Sequence, residues 1–145
     1  MRDLKYLFAY TVPISTLISF NSFGLGTYAA VFYAFVILPI LDVVLGEDNT
    51  NLSEEKVSAK KINKVFDWML YINLPIVYSL MAYGFIKVYS SDYSLFEMIG
   101  MCLSAGILLA TNGINVAHEL CHRKKYFERA IGKALFYRAF ICISI

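Results

Sequence analysis

Charge is what this chain has least of. Of its 145 residues only 17% are Asp, Glu, Lys or Arg, while 59% are hydrophobic and 16% aromatic. A soluble domain of this length lies nearer half apolar and a quarter charged, so the shortage argues against a solvated globule and for an integral membrane protein. A net charge of +2 is too small to suggest a nucleic-acid partner. Cysteine is scarce too: Cys102, Cys121 and Cys142 are odd in number and lie in or beside apolar runs. Such usage excludes a disulfide framework and fits a reducing, cytosol-facing setting. Histidine is limited to two residues, His118 and His122. No internal repeat or low-complexity stretch is present, and no small-residue cleavage site follows Met1-Arg2-Asp3-Leu4-Lys5, so no cleavable signal peptide is expected.

Long apolar runs are what the chain does have. Four stand out, at Leu4–Phe20, Leu25–Leu45, Phe66–Val88 and Leu95–Ala117. A helix needs about 20 residues to cross the hydrocarbon core, which the last three satisfy and the first only just approaches. The expected fold is therefore all-α, a polytopic membrane bundle of about four transmembrane helices in a single membrane domain over residues 1–145. Pro39 and Pro75 fall inside two of the runs, a position membrane helices tolerate when neighbours satisfy the freed carbonyl. Asn21-Ser22-Phe23-Gly24 is a tight turn that predicts an antiparallel hairpin, and Gly46 to Lys64 is a polar loop with a short helix expected over Ser53–Lys64. Lys and Arg crowd the N-terminus (Arg2, Lys5), that loop (Lys56, Lys60, Lys61, Lys64) and the segment from Arg123 to Arg138. The positive-inside rule then places all three, with the His118 region, in the cytoplasm. Trp68, Tyr71, Tyr89 and Tyr93 lie near the span ends, where interfacial aromatics belong.

Turning about 100° per residue along the fourth run lines up Glu97, Gly100, Ser104, Thr111, Asn115, His118 and His122 on one face. Small and hydroxyl residues on such a face are ordinarily packing contacts, the expectation for Ser104 and Thr111. Asn115 is either packing or an orienting partner for His118. The two histidines, four apart and one turn from each other, are expected to be metal ligands, since each is otherwise an expensive polar group without a partner. His118-Glu119-Leu120-Cys121-His122 has the spacing of a zinc peptidase, in which the glutamate is the general base. Glu128 is the only carboxylate after the motif, too near in sequence to supply the third ligand comfortably, and Arg123-Lys124-Lys125 follows at once.

The stretch Asn115-Val116-Ala117-His118-Glu119-Leu120-Cys121-His122-Arg123, followed by Phe127-Glu128-Arg129 and Ile131-Gly132-Lys133, resembles the first histidine box of membrane-bound alkane 1-monooxygenases (alkane hydroxylases). These belong to the fatty acid desaturase/hydroxylase-like diiron superfamily. Upstream, Ile37-Leu38-Pro39-Ile40-Leu41-Asp42-Val43-Val44-Leu45-Gly46-Glu47-Asp48 is similar to the family's segment at the end of its second span. The resemblance holds in register from the first hairpin to about Leu135.

The resemblance implies that His118 and His122 bind non-haem iron through neutral imidazole nitrogens, in a site of two Fe when complete. Glu119 takes a supporting role around the ligands, Cys121 fills space, and Arg123 carries the positive charge of a usual lysine, for a headgroup, an acidic partner or simple anchoring. Asp42 is read as a structural partner for the loop or tail. The implied reaction is terminal hydroxylation of an alkane or fatty-acyl-like hydrophobic substrate. It would use O2 and electrons from a rubredoxin-type donor, in the lipid bilayer of a bacterial inner membrane. The family's further histidine boxes are absent from these 145 residues, so the chain reads as an N-terminal part with a truncated C-terminal segment, expected to be inactive alone. A membrane zinc metallopeptidase and a non-catalytic remnant are the alternatives.

Overall fold

The structure, a computed structural model, describes residues 10–45, 64–123 and 125–143. The expected loop helix over Ser53–Lys64 and the first residues of the first apolar run fall outside them, apart from Lys64 itself. Every regular element among the described residues is helical. Helix α1 (Thr11–Phe20) turns through Asn21 into a span, Gly24–Val44, made of a 3-10 turn, α2 (Ala29–Phe32), a π-turn at Tyr33–Ile37 and α3 (Leu38–Leu45). Helix α4 (Lys64–Ser90) carries the second long apolar span. The third runs from Leu95 to Cys121 through α5 (Leu95–Leu108), a π-turn at Leu109–Asn115 and α6 (Val116–Cys121). The chain turns at His122 and Arg123, and the last helix is α7 (Tyr126–Ile143). Three helices are thus long and apolar enough to cross a membrane, and α1 is a shorter apolar helix.

The hairpin expected at Asn21–Gly24 is present. Gly24 takes φ +57°, a conformation that residues with a Cβ adopt only at a cost, and its N–H donates to Glu97 Oε1 at 2.7 Å. Glu97 also closes a capping box with Ser94 at the start of α5, so a single carboxylate fixes a helix start and the hairpin turn. Pro39, which removes one helical donor, follows directly on the π-turn at Tyr33–Ile37, whereas Pro75 lies within the continuous α4.

Helices in lipid gain little from burying apolar surface against each other, so close approach and polar contacts must hold the packing. Both are found where α1 and the 3-10 turn meet α5. A Cβ on Gly100 would lie 2.4 Å from Thr27 Oγ1 and 2.6 Å from the Tyr28 ring. Buried Ser104 donates to the Thr27 carbonyl at 2.9 Å and meets Ser19 Oγ at 3.1 Å, and Ser19 Oγ accepts the Ala30 N–H. On the other side, Val77, Met81, Leu109, Ala117, Leu120, Ile131 and Leu135 form the largest apolar core, joining α4, the third span and α7. Gly132 lets α7 approach α6, where an added Cβ would sit 2.8 Å from Cys121 Sγ.

Of the four aromatics expected at the membrane interface, Tyr93 is buried against Phe20 and Phe23, and Tyr71 is half-buried and donates its hydroxyl to Glu128. Trp68 and Tyr89 are exposed near the span ends as expected.

Candidate metal site

The uniform polar stripe expected along the third span is broken by the π-turn. A π-turn closes N–H(i) onto the carbonyl five residues back and inserts one residue into the helix. Everything beyond it lags an uninterrupted α-helix by about 100°. Gly100 and Ser104 therefore face the hairpin and are buried, whereas Asn115, His118 and His122 are exposed. Around the π-turn the buried side broadens: Ser104, Leu108 and Asn112 are buried at steps of four, and so are Leu109, Gly113 and Ala117.

The ridge that now runs straight into the histidines is Cys102, Gly106, Ala110 and Ile114, at steps of four. These four residues line an apolar cavity of about 530 Å³ between α4 and the third span, with Phe20 also in its wall. Gly84 is essential to its shape, because an added Cβ there would meet the Phe20 ring at 2.8 Å. One turn beyond Ile114 lies His118.

His118 lies in α6 and His122 caps its end, with ring centroids 4.7 Å apart and planes inclined at 56°. At that separation nitrogens of both rings can turn onto one ion, and imidazole suits iron, zinc and copper alike. The pair fits as two ligands of a metal and not as a full set: among the described residues no group of three or more His, Cys, Asp or Glu is placed to hold a metal ion. Glu119 is exposed and leans toward Arg123, 3.8 Å from its Nε. Asn115 is exposed and makes no described hydrogen bond to His118. Ser104 packs the hairpin as expected, whereas the Thr111 hydroxyl donates to the Ile107 carbonyl at 2.8 Å and lies 3.0 Å from Asn112 Oδ1, both on its own helix. Asp42 is exposed near the end of α3.

Asp67, Tyr71, Arg123 and Glu128 were not linked by the sequence reading, and they form a polar cluster. Arg123 pairs with Asp67 of α4 and lies 3.4 Å from Glu128 of α7. Glu128 is almost fully buried and accepts the Tyr71 hydroxyl at 2.5 Å, with the exposed Lys125 at 3.5 Å. Burial pushes the Glu128 carboxyl up, but the Tyr71 hydroxyl, Lys125 and Arg123 outweigh it and hold it below its ordinary value. Burial likewise pulls the Arg123 guanidinium down, and Asp67 and Glu128 more than restore it. So Arg123 has its acidic partners within the chain, and Glu128 does fold back, onto Arg123 and Tyr71 rather than onto the histidines. A signal existed in the sequence: Asp67 and Tyr71 stand four apart at the start of a span, on one helical face.

No family profile matches the chain. Among curated proteins, the alkane 1-monooxygenase of Pseudomonas putida is 34% identical over 110 residues, covering 74% of this chain and 26% of that protein. Alkane 1-monooxygenase 1 of Alcanivorax borkumensis is 31% identical over 99 residues, 67% of this chain and 24% of the relative. The xylene/toluene monooxygenase hydroxylase component XylM of Pseudomonas putida is 30% identical over 148 aligned positions, 94% of this chain and 36% of the relative. The chain spans about a quarter to a third of the length of the curated relatives it matches.

Proposed function

This chain is a member of the alkane 1-monooxygenase family over the part it shares with those oxidoreductases, and on that premise we propose that it carries two ligands of their iron centre. His118 and His122 would hold non-haem iron through neutral imidazole nitrogens. Bound there, the metal supplies the oxidising power with O2 that side chains lack. Two imidazoles are too few for two irons, so further ligands would be needed to complete the centre. Glu119 acts beside the ligands, through Arg123, rather than on iron.

The observation that carries this reading is the continuity between cavity and histidines. An apolar ridge lining about 530 Å³ ends, one turn on, at the two imidazoles. That volume is within the ordinary range of about 300–1,000 Å³ for small-molecule sites. A hydrophobic chain such as an alkane or a fatty-acyl tail, dissolved in the bilayer, would enter from the side and present its end toward the metal. The reading further places the chain in a bacterial inner membrane, with the N-terminus and the His118 region in the cytoplasm, within reach of a soluble rubredoxin-type donor.

The test is iron content. The full chain purified in detergent and loaded anaerobically with Fe(II) should retain iron. His118→Ala and His122→Ala should each lose it, and Glu119→Gln should keep it. Equal iron in the wild type and both alanine variants would overturn the assignment and favour a remnant with idle histidines.

A further inference from the structure

Asn73 and Asn112 meet in the apolar middle of the bundle. Asn112 Nδ2 donates to Asn73 Oδ1 at 2.8 Å, Asn73 Nδ2 donates to the Met69 carbonyl at 2.8 Å, and the Thr111 hydroxyl donates to Asn112 Oδ1 at 3.0 Å. Both side chains are almost fully buried, Asn73 on α4 and Asn112 within the π-turn at Leu109–Asn115. An amide buried in such surroundings is expensive unless paired, so the contact dictates which side of the third span faces α4 at Asn112. Five residues on, Ala117 must also face the core shared by α4 and α7, and Leu120 with it. In an uninterrupted α-helix the step of five would turn Ala117 about 140° from Asn112, against about 40° for a step of four. One inserted residue restores the smaller angle.

We propose that Asn73 and Asn112 are positioning residues that hold the π-turn, and that this turn sets His118 and His122 on the ridge of Gly106, Ala110 and Ile114 that lines the cavity. Without it, the same residues in a straight helix would swing the imidazoles about 100° away from that ridge. The proposal rests on the reading of the two histidines as the metal pair. It adds that two amides distant from the metal decide where the metal sits relative to the cavity.

The pair itself provides the probe. Two histidines four apart on a helix can seat one Cu(II) ion whichever way the helix faces, so copper marks the position of the site without iron chemistry. In a variant with all three cysteines changed to Ala, nitroxide labels at Trp68→Cys and, separately, Phe32→Cys would report two Cu(II)–label distances by pulsed electron paramagnetic resonance. Both positions are exposed and lie on different helices. A metal held about 5.5 Å from the helix axis moves about 8 Å when the helix turns by about 100°. Asn73→Leu with Asn112→Leu should therefore leave the copper bound but shift at least one distance by several ångströms. Deleting Gly113 in that double variant removes the inserted residue and should return both distances to their starting values. Deleting Gly113 alone should leave them unchanged, a result readable even if the double variant fails to fold.

Unchanged distances in the double variant overturn the proposal. So does a shift that the deletion fails to reverse, or a large shift from the deletion alone. The iron assignment fails on a different measurement, metal content, so the two outcomes are separable.

Discussion

Replacing Glu128 by Gln is the most direct test of how the end of the third span is anchored. The amide keeps an acceptor for the Tyr71 hydroxyl, now 2.5 Å away, but loses the charge opposite Arg123 at 3.4 Å. Hydrogen bonds to charged groups contribute about 1.5–3 kcal/mol against about 0.5–1.5 for neutral ones, and Arg123 retains Asp67. The loss should be about 2 kcal/mol. Lys125, whose side chain is 71% exposed, adds little. Glu128→Leu strands the Tyr71 hydroxyl and one edge of a half-buried guanidinium, and should cost about 3–4 kcal/mol. The pH dependence has a fixed sign. Because the folded state holds the Glu128 carboxyl below its ordinary value, its stabilisation is present above the unfolded pKa of about 4.3 and is lost as pH falls through the lower folded value. Unfolding of the chain from mixed micelles by increasing dodecyl sulfate, followed by circular dichroism and the single Trp68, would measure both. Wild type and Glu128→Gln should differ by a constant amount from pH 7 to about pH 5 and converge below about pH 4. No difference at pH 7, or a difference that widens on acidification, refutes the account of the cluster.

Three further outcomes follow from the packing. Gly100→Leu drives a side chain into Thr27 and Tyr28 and should destabilise the seat of the hairpin by about 1–3 kcal/mol in the same titration, while Gly106→Leu, where a Cβ meets nothing within 4 Å, should have a smaller effect. Ser104→Ala removes two hydrogen bonds between helices and should cost about 1 kcal/mol, given that such bonds in membrane proteins average about 0.6 kcal/mol. Glu97→Gln weakens both the capping box of α5 and the grip on Gly24, so amide exchange at Gly24 and Glu97 should accelerate while that of α6 stays unchanged.

Much of the fold was legible because composition and turn chemistry act locally. The shortage of charge implied membrane helices, three runs of about 20 apolar residues implied the long spans, and Gly24 marked the reversal between the first two segments. The capping box at Ser94 and Glu97 is equally local, although nothing in the sequence announces that the same carboxylate reaches 73 residues back to Gly24. The Arg123 cluster was missed for a related reason. Its members come from α4, the turn at Arg123 and α7, and a charge beside a run of lysines reads as membrane anchoring until the partner helices are in place. The contacts of Tyr71 with Glu128 and of Tyr93 with Phe20 and Phe23 were hidden for the same reason, because their partners are distant in sequence.

The histidine pair was legible and its surroundings were not, and the difference comes down to phase. Four-residue spacing survives any rotation of a helix as a whole, so His118 and His122 must lie together however the third span is turned. What they lie beside depends on every residue between Leu95 and Val116 advancing by the same angle, and the π-turn breaks that assumption once. With uniform advance, the imidazoles continue the face of Gly100 and Ser104, the face turned to the hairpin. With one inserted residue they continue the face of Gly106, Ala110 and Ile114, along the wall of the cavity. The signal for the insertion is not a motif but a conflict: Asn112 requires a polar partner on α4, and Ala117 and Leu120, five and eight residues later, require the same apolar core. The inserted residue keeps Ala117 and Leu120 on the core of α4 and α7 while Asn112 reaches Asn73, and it decides which face His118 and His122 share.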